Sequence, residues 1–519
     1  MSEVFEKRLK ALAGLSGKVL VGGLRGVEKE CLRVESSGRL STKPHPRGLG
    51  SALTNRFITT DYSEALLEFV TPAFASNWEA LQCVCDIHQF TYEKLEDELL
   101  WPSSMPCLLP AESDIPLARY GSSNVGQMKT IYRRGLGYRY GRQMQTIAGV
   151  HFNYSLPAEF WAKYRDIICV NCDEDHVRSS QYLGLVRNFR RFGWIVLYLF
   201  GSSPAVCRSF GENLGMPMLS ENTWYEPHGT SLRMSDLGYS NQNQARINIS
   251  LNSLDDYVAD LTAAINTVVP DYEKIGVKVD GKWRQLNANL LQIENEYYSL
   301  IRPKRVAHSG ERPTQALMRG GVQYVEVRAL DVSACDANGV SAAQLRFLEA
   351  FLIYCLLADS PQVDAVELEQ TEQSQLAVAR NGRDPSLMLM RGDNGVPLQT
   401  WAREILEDMT GVCELLDRGR GDGAYSKALA SQAVKVADPE ETPSALILEA
   451  MRSNGEPFFT FAMRMSRHHR EQFVGAGPLQ SQRHDLLQRE VARSLEKQRE
   501  IEAADRISFE SYLESYFGS

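Results

Sequence analysis

The sequence lacks any long uninterrupted apolar run. Its most apolar segments, WIVLYLF (194–200) and FLIYCLLA (351–358), are far shorter than the ~20 residues that span a bilayer. The first fifteen residues mix charged and apolar side chains and contain no cleavage pattern, so we expect no signal peptide. These absences predict a cytoplasmic protein that does not associate with membranes.

An excess of positive charge is also missing. The chain has 56 lysines and arginines against 65 aspartates and glutamates, a net charge of −9 at pH 7. A general nucleic-acid binder needs a dominant positive field, so we expect no nucleic-acid partner. Any anionic ligand should be small and held by local basic clusters, such as those at 133–134, 187–191 and 302–305. No feature indicates an obligate protein partner.

Phosphate-binding loops and zinc motifs are absent as well. No G-x-x-x-x-G-K-[ST] motif occurs, and VGGLRG (21–26) departs from the dinucleotide fingerprint. Cys169 and Cys172 have the spacing of a zinc half-site, but no second ligand pair follows. The pattern of the ten scattered cysteines favours reduced thiols that pack as small hydrophobic side chains. A bound nucleotide would therefore be held by metal ions and arginines over a sheet.

What the sequence does contain is a repeated strand pattern with acids on one face. Alternate side chains of a strand share a face, so Glu28 and Glu30 of GVEKECLRV would lie side by side. The same alternation recurs in four further segments, SEALLEFVTP (63–72), GVHFNYSLP (149–157), LLQIENEYY (290–298) and VQYVEVRALDV (322–332). They present Glu64 with Glu68, His151 with Asn153, Glu294 with Glu296, and Glu326 with Arg328.

Carboxylates that converge away from water are unstable unless cations lie among them. Mg²⁺ prefers oxygen ligands and is commonly shared between carboxylates and phosphates. Residues two apart on a strand are ~6.5 Å apart, so their carboxylates could hold two ions ~4 Å apart. The pattern therefore predicts Mg²⁺ or Mn²⁺. Each acid pair taken alone also fits the solvated face of an edge strand, and Glu326 with Arg328 also fits a simple ion pair.

The remaining periodicity predicts helices at 1–15, 76–100 and 341–359, and an almost wholly helical chain past 336. Two polar segments, 366–386 and 414–444, are predicted to be loops. We expect residues 1–519 to form a single catalytic unit, with a sheet-bearing core at about 18–335 and a mostly helical remainder at about 336–519.

Several long motifs occur in order across residues 20–335, among them GVEKECLRV, TTDYSEALLEFVTP, MKTIYRRGLGYRYG, GVHFNYSLP, TSLRMSDLGYSN, LQIENEYYSLIRPKR and GGVQYVEVRALD. Together they resemble the proteobacterial glutamate–cysteine ligase (gamma-glutamylcysteine synthetase) family. The resemblance implies an α+β, glutamine-synthetase-like fold, in which a curved, mainly antiparallel sheet forms a funnel with helices outside. It also implies ATP-dependent ligation of the γ-carboxylate of L-glutamate to the amine of L-cysteine through a γ-glutamyl phosphate, the first step of glutathione biosynthesis.

The resemblance assigns roles residue by residue. It implies metal ligands at Glu28, Glu30, Glu68, His151 and Glu326, and catalytic roles for Arg328, Glu28 and Glu326, with Arg328 facing the transferred phosphate. It implies an amino-acid pocket lined by Tyr62, Tyr132, Arg133, Asn153, Arg233, Tyr239 and Tyr298. Tyr62 replaces a phenylalanine of some relatives, which adds a hydroxyl near the cysteine pocket.

Three other functions stay open at this point. The first is another ATP-dependent carboxylate–amine ligase with a different amine substrate. The second is a two-carboxylate glycosidase, which would explain paired acids but neither the adjacent arginines nor a need for ATP. The third is a binding module without catalysis.

Overall fold

The computed structural model describes residues 2–15, 18–106, 108–238, 247–308 and 310–518. The strands are, in chain order, β1 (Leu24–Val34), β2 (Ile58–Thr60), β3 (Leu66–Val70), β4 (Leu99–Leu100), β5 (Gly149–Ser155), β6 (Ala205–Cys207), β7 (Met218–Ser220), β8 (Thr223–Tyr225), β9 (Lys278–Val279), β10 (Lys282–Trp283), β11 (Ile301–Lys304), β12 (Tyr324–Asp331), β13 (Met388–Arg391) and β14 (Asn394–Pro397).

The helices are α1 (Glu3–Ala13), α2 (Asn77–Lys94), α3 (Asn124–Tyr140), α4 (Ala158–Ile168), α5 (Glu174–Phe192), α6 (Trp194–Phe200), α7 (Leu254–Asn266), α8 (Pro270–Ile275), α9 (Pro313–Gly320), α10 (Ala342–Leu357), α11 (Ala365–Asn381), α12 (Leu398–Arg420), α13 (Ala424–Ala437), α14 (Pro443–Ser453), α15 (Phe458–Gly475), α16 (Ser481–Ala504) and α17 (Phe509–Gly518). Within the described ranges, no helix combines the length and the apolar character needed to cross a bilayer.

The main sheet has seven strands in the order β11-β12-β5-β1-β3-β2, and β4 pairs with the far end of β1. All of its neighbouring strands are antiparallel. One face of the sheet is apolar because Val27, Phe69, Phe152 and Val327 alternate with the polar positions, and these side chains enter a core that extends to the C-terminal helices. The predicted α+β class, with an antiparallel sheet and a mostly helical C-terminal third, is confirmed.

Four of the five segments predicted to be acid-bearing strands form strands, and the prediction for 290–298 is wrong. Glu294–Glu296 is one turn of 3₁₀ helix. The Glu296 carboxylate accepts hydrogen bonds from the guanidinium of Arg139 (3.0 Å), the hydroxyl of Tyr140 (2.7 Å) and the backbone N–H of Gln292 (2.8 Å). Its bond to the backbone N–H of Gln292, four residues earlier, competes with strand pairing, so local polar bonds override the alternation.

The two polar segments predicted to be loops are mainly helical. Segment 366–386 lies mostly in α11, whose N-cap Asp364 accepts a hydrogen bond from the backbone of Glu367. Segment 414–444 includes the end of α12 and all of α13. Helices α11 and α13 each have one buried face and one face open to solvent, so their polar composition reflects the solvated face and not a loop.

A buried ion pair joins the apolar side of β1 to the helical third. The Arg25 guanidinium binds the Glu349 carboxylate of α10, and both side chains are fully buried. The hydroxyl of Tyr425 on α13 donates a second hydrogen bond to Glu349 at 2.8 Å. Because a buried charge without a partner is costly, this network fixes the helices against the strand that carries Glu28 and Glu30.

Helices α16 and α17 and their connection form a segment, the C-terminal strap (residues 481–518), that contacts the loop before α3. The Asp505 carboxylate accepts a hydrogen bond from the backbone N–H of Asn124 at 2.5 Å, and the Glu502 carboxylate accepts one from Ser122 at 2.9 Å. Gly121 has φ +84°, and a Cβ there would collide with Glu502. Negative side chains thus bind the backbone N–H groups at the start of α3.

The strap also covers α3 with apolar side chains. Phe509 and Leu513 of α17 form a small buried cluster with Met128 and Ile131 of α3 and with Leu286. The strap therefore holds α3 at both its first turn and its middle.

The expectation of reduced thiols is wrong for one pair, because Cys169 and Cys172 form a disulfide between α4 and α5. Cys31, Cys83, Cys85, Cys207, Cys335, Cys355 and Cys413 are free thiols.

Candidate active site

Strand register brings the predicted acids to one face of the sheet. Glu28 of β1 is directly opposite His151 of β5, and Glu30 is opposite Glu68 of β3. On the next strand, Glu326 of β12 is opposite Asn153 of β5. Directly opposed residues of antiparallel strands share a face. Local alternation and pairing together therefore gather side chains from four strands.

Glu28, His151 and Glu326 form the tightest part of this group. Each offers one ligand atom, and these atoms lie within 4.8 Å of one another. Nδ1 of His151 is 3.1 Å from Oε2 of Glu28 and 3.7 Å from Oε1 of Glu326. Asn153 donates a hydrogen bond from Nδ2 to Oε1 of Glu28 at 2.8 Å. These residues are mostly buried, with side-chain exposures of 4% for His151 and 3% for Glu326.

Glu30 and Glu68 extend the group toward β3. Oε1 of Glu30 lies 3.7 Å from Nε2 of His151, and Oε2 accepts a hydrogen bond from the backbone N–H of Gly149 at 2.6 Å. Within the described residues, His151 Nε2 is buried and has no hydrogen-bond partner. Glu68 is half-buried beside Glu30 and lies outside the tightest group.

The carboxylates divide into two electrostatic classes. Burial raises the pKa of Glu326, but the cations of Lys304 and Arg328 outweigh it and hold this pKa well below its usual value. Burial also raises the pKa of Glu28, but the hydrogen bond with His151 opposes it. The net pKa of Glu28 lies below its usual value.

Glu30 and Glu68 behave in the opposite way. Burial raises the pKa of Glu30, and burial together with the negative charges of Glu28 and Asp61 raises the pKa of Glu68 well above normal. A divalent cation at this end of the group would relieve both effects.

Arg328 lies at an irregularity in β12. The register between β12 and β5 shifts between Val327 and Leu330, so the strand bulges at Arg328. Its NH1 donates to Oε1 of Glu326 at 3.2 Å and is 3.5 Å from Nδ1 of His151. Bulges beside active sites commonly redirect a side chain, and here the bulge directs a guanidinium toward the acids.

Arg233 reaches the site from the segment before the undescribed residues 239–246. Its buried guanidinium donates a hydrogen bond to the backbone carbonyl of Arg328 at 2.9 Å. The Asp331 carboxylate on β12 holds this segment by accepting hydrogen bonds from the hydroxyls of Ser203 (2.6 Å) and Ser231 (2.8 Å). Arg233 therefore lies at the edge of the acid group.

Helix α3 carries Tyr132 and Arg133 at the opposite flank. Arg133 donates from Nε to the backbone carbonyl of Asp61, and its NH2 lies 3.8 Å from the Asp61 carboxylate. The guanidinium carbon is 4.6 Å from the centre of the Tyr120 ring. Tyr132 is half-buried, and burial raises its pKa well above normal.

Three further predicted pocket residues differ in placement. Tyr62 is 1% exposed and belongs to the main apolar core, and its hydroxyl has no hydrogen-bond partner among the described residues. Tyr298 is half-buried, and its hydroxyl accepts a hydrogen bond from Gln145 at 3.3 Å. Tyr239 lies outside the described residues.

One member of the site was not singled out from the sequence. Nζ of Lys304 lies 3.3 Å from Oε2 of Glu326, which makes it a member of the site and not only of a basic cluster. The signal that could have found Lys304 is the alternation along β11. Arg302 is opposite Glu326, and Lys304, two residues later, lies on the same face of the strand. Glu64, in contrast, does not join the acids, because its carboxylate binds the backbone N–H groups of His45 (2.5 Å) and Arg119 (2.6 Å).

The donor set suits a hard divalent cation. It consists of carboxylate oxygens and one imidazole, and it contains a buried imidazole nitrogen that no described group satisfies. Guanidinium and ammonium groups stand beside it, as binding of an anionic phosphate requires. The arrangement can bring two anions together and neutralise the charge between them.

Comparisons with known proteins give a consistent result. A family model described as glutamate-cysteine ligase matches residues 9–378. Glutamate–cysteine ligase from Alcanivorax borkumensis is 47% identical over 520 residues, covering 99% of this chain and 99% of the relative. The Pseudomonas aeruginosa protein of the same name is 47% identical over 522 residues, covering 100% and 99%.

Two solved structures are also similar. Glutamate–cysteine ligase from Francisella tularensis, in complex with AMP, has a TM-score of 0.90 and 36% identity, covering 96% of this chain and 98% of that one. A bifunctional glutathione synthetase from Pasteurella multocida has a TM-score of 0.66 and 22% identity, covering 91% and 54%, a likeness of fold alone.

Proposed function

This chain belongs to the glutamate–cysteine ligase family, and from this premise we propose how its own residues carry out the reaction. The function is ATP-dependent ligation of L-glutamate to L-cysteine, the first step of glutathione biosynthesis. The single observation that carries the site assignment is the register of β1, β5 and β12, which gathers Glu28, His151 and Glu326 beside Arg328.

In this proposal Mg²⁺ or Mn²⁺ is held by Glu28, His151 and Glu326, with Glu30 and Glu68 as ligands at the other end of the group. The oxygen-rich donor set and the unsatisfied Nε2 of His151 support it. When bound, the cation supplies charge neutralisation between the ATP phosphates and the glutamate carboxylate.

The first chemical step joins the γ-carboxylate of glutamate to the γ-phosphorus of ATP and releases ADP. Phosphoryl transfer depends on positioning and charge stabilisation more than on covalent participation of the protein. Arg328 and Lys304 are the cations nearest the acids of β12, and we assign them to the oxygens of the transferred group. Arg328 is the catalytic residue of this step, with Glu28 and Glu326 completing the site.

In the second step the cysteine amine attacks the acyl carbon of γ-glutamyl phosphate, the C–O bond to phosphate breaks, and the amine loses a proton. An acyl phosphate hydrolyses if water enters, so the pocket must be closed. We propose Tyr132, Arg133, Asn153, Arg233, Tyr239 and Tyr298 as its lining. Tyr62 is proposed as a wall beneath α3, since a Cβ at Gly137 would collide with its hydroxyl.

We further propose that the whole chain acts as one catalytic unit in the cytoplasm. The apolar core is continuous from Phe5 to Met463, and the strap contacts α3. The need for ATP as a co-substrate supports the proposed location in the cytoplasm.

The decisive experiment measures ADP formation by the pure protein with glutamate, Mg²⁺ and each candidate amine in turn. We expect turnover that needs both glutamate and cysteine and yields γ-glutamylcysteine. Equal or faster turnover with another amine would replace cysteine as the substrate and leave the phosphoryl-transfer part of the proposal in place. ADP release without either amino acid would contradict both cysteine as the amine substrate and phosphoryl transfer to glutamate.

A further inference from the structure

Lys129 is a cation on α3 to which no role has been assigned above. It lies one turn before Arg133, and both side chains contact the ring of Tyr120. Nζ of Lys129 is 5.3 Å from the ring centre, and the guanidinium carbon of Arg133 is 4.6 Å from it. The ring is itself fixed, since the Tyr120 hydroxyl is 2.7 Å from the carbonyl oxygen of Thr60 and 2.9 Å from that of Asp61.

The two cations differ in their partners. Arg133 has the Asp61 carboxylate 3.8 Å away. Lys129 is half-buried, and its ammonium makes no hydrogen bond or ion pair within the described ranges 2–15, 18–106, 108–238, 247–308 and 310–518. Burial and the positive charge of Arg133 lower the pKa of Lys129 to about 8, and the negative charge of Glu68 raises it in part. A half-buried ammonium without an ion pair among the described residues can bind an anion.

The position of Lys129 relative to the strands of the sheet indicates which anion it binds. Lys304 and Arg328 belong to β11 and β12, whereas the negative charge of Glu68 on β3 raises the pKa of Lys129. β12 and β3 are separated by β5 and β1, a span of about 14 Å at the usual strand spacing. The acid group therefore has cations on two sides: Lys304 and Arg328 beside Glu326, where we place the phosphates, and Lys129 on the side of Glu68.

We propose that Lys129 binds a carboxylate group of one of the two amino-acid substrates, an inference that rests on the proposed function. Both amino acids keep an α-carboxylate that takes no part in the chemistry and that must be accommodated in a site rich in acids. An ammonium on the flank away from the transferred phosphate meets this need, and its charge-assisted hydrogen bond would orient the amino acid.

The test compares Lys129→Met, Lys129→Gln and Lys129→Arg with a matched control, Lys94→Met. Lys94 also lies over an aromatic ring, 4.8 Å from the centre of Phe90, but on α2. Steady-state kinetics give kcat and the separate KM values for glutamate, cysteine and ATP. We expect Lys129→Met to raise KM for one amino acid by about tenfold to hundredfold, with kcat and KM for ATP within about twofold. Lys129→Arg should recover part of the loss, and Lys94→Met should match wild type.

Cysteamine, which is cysteine without its carboxylate, identifies the amino acid. If Lys129 binds cysteine, the defect of Lys129→Met disappears when cysteamine is the amine. If it binds glutamate, the higher KM for glutamate persists with cysteamine. Both outcomes support the proposal.

The proposal is overturned if Lys129→Met raises only KM for ATP, or if both Lys129→Met and Lys129→Gln fold with wild-type Tm and show wild-type KM values. Lys129→Gln keeps a polar end on a side chain that is one atom shorter, so it serves if the methionine variant does not fold. A wild-type protein that forms no γ-glutamylcysteine would instead contradict the proposed function, which separates the two failures.

Discussion

Replacing Glu326 by glutamine tests whether the acids on the sheet form a metal site. The change removes one negative charge and keeps the size of a side chain that is 3% exposed. That charge faces the Arg328 guanidinium at 3.2 Å and the Lys304 ammonium at 3.3 Å. In Glu326→Gln, a divalent cation loses a ligand. It also meets the positive charges of Arg328 and Lys304, which Glu326 no longer balances.

The size of the effect follows from these contacts. A hydrogen bond to a charged group contributes about 1.5–3 kcal/mol, and the neutral amide keeps part of one such bond. We therefore expect Mg²⁺ binding to weaken by about 3 kcal/mol, which corresponds to about a hundredfold increase in the Mg²⁺ concentration at half-maximal activity. Turnover should recover in part at high Mg²⁺.

The assay titrates Mg²⁺ against the rate of ADP formation at saturating glutamate, cysteine and ATP. Direct binding of Mn²⁺ to the pure protein, followed by electron paramagnetic resonance, gives a readout that does not depend on activity. Glu64→Gln is the matched control, because Glu64 is a buried carboxylate of the same sheet region that binds only backbone N–H groups in the described structure. It should lower Tm and leave metal binding unchanged. Wild-type metal binding by Glu326→Gln, or an equal loss in Glu64→Gln, would refute the reasoning.

Three further predictions use other parts of the molecule. Arg328→Lys should lower kcat by about tenfold or more with little change in KM, since a point charge does not reproduce a guanidinium fork; a change in KM alone would indicate a binding role. Burial would raise the pKa of Glu490, but hydrogen bonds from Arg493 and Arg56 lower it to about 2. The stabilisation that the ionised Glu490 carboxylate contributes is therefore present above the unfolded pKa of about 4.3 and is lost as pH falls toward 2. The Tm difference between wild type and Glu490→Gln should shrink from pH 7 to pH 3. A Tm difference that stays constant would contradict this. A chain that ends at residue 506 should have a lower Tm and a higher KM for an amino acid, because α17 no longer covers α3; unchanged kinetics would show that the strap acts on stability alone.

The grouping of the acids on one face of the sheet could be predicted from the sequence because alternation along a strand is a local property. Glu28 and Glu30 share a face whatever their neighbours are, and so do Glu326 and Arg328. The register between distant strands is not local, however. The contact of Lys304 with Glu326 depends on the pairing of β11 with β12, and the sequence pattern alone did not distinguish that contact from a solvated basic cluster.

The errors have different physical causes. Glu64 and Glu296 fit the alternation, but their carboxylates bind backbone N–H groups. Those of His45 and Arg119 bind Glu64, and that of Gln292 binds Glu296, so each carboxylate holds neighbouring chain segments together. The disulfide between Cys169 and Cys172 depends on the way α4 turns into α5, which spacing alone did not reveal. Lys129 gave no signal because a single lysine in a helix resembles a solvated one until its neighbours are known.

The contact of the C-terminal strap with α3 has a consequence for biosynthesis. Roughly 340 residues separate the end of α3 at Tyr140 from the start of α16 at Ser481. At about 5–20 residues per second, the ribosome adds these residues in about 20–70 seconds. During that interval Met128 and Ile131 have no apolar cover from α17, and the N–H groups of residues 122 and 124 have no carboxylate from α16 or from the turn that follows it. The acid-bearing sheet can thus assemble on the nascent chain well before α3 gains its contacts with the strap.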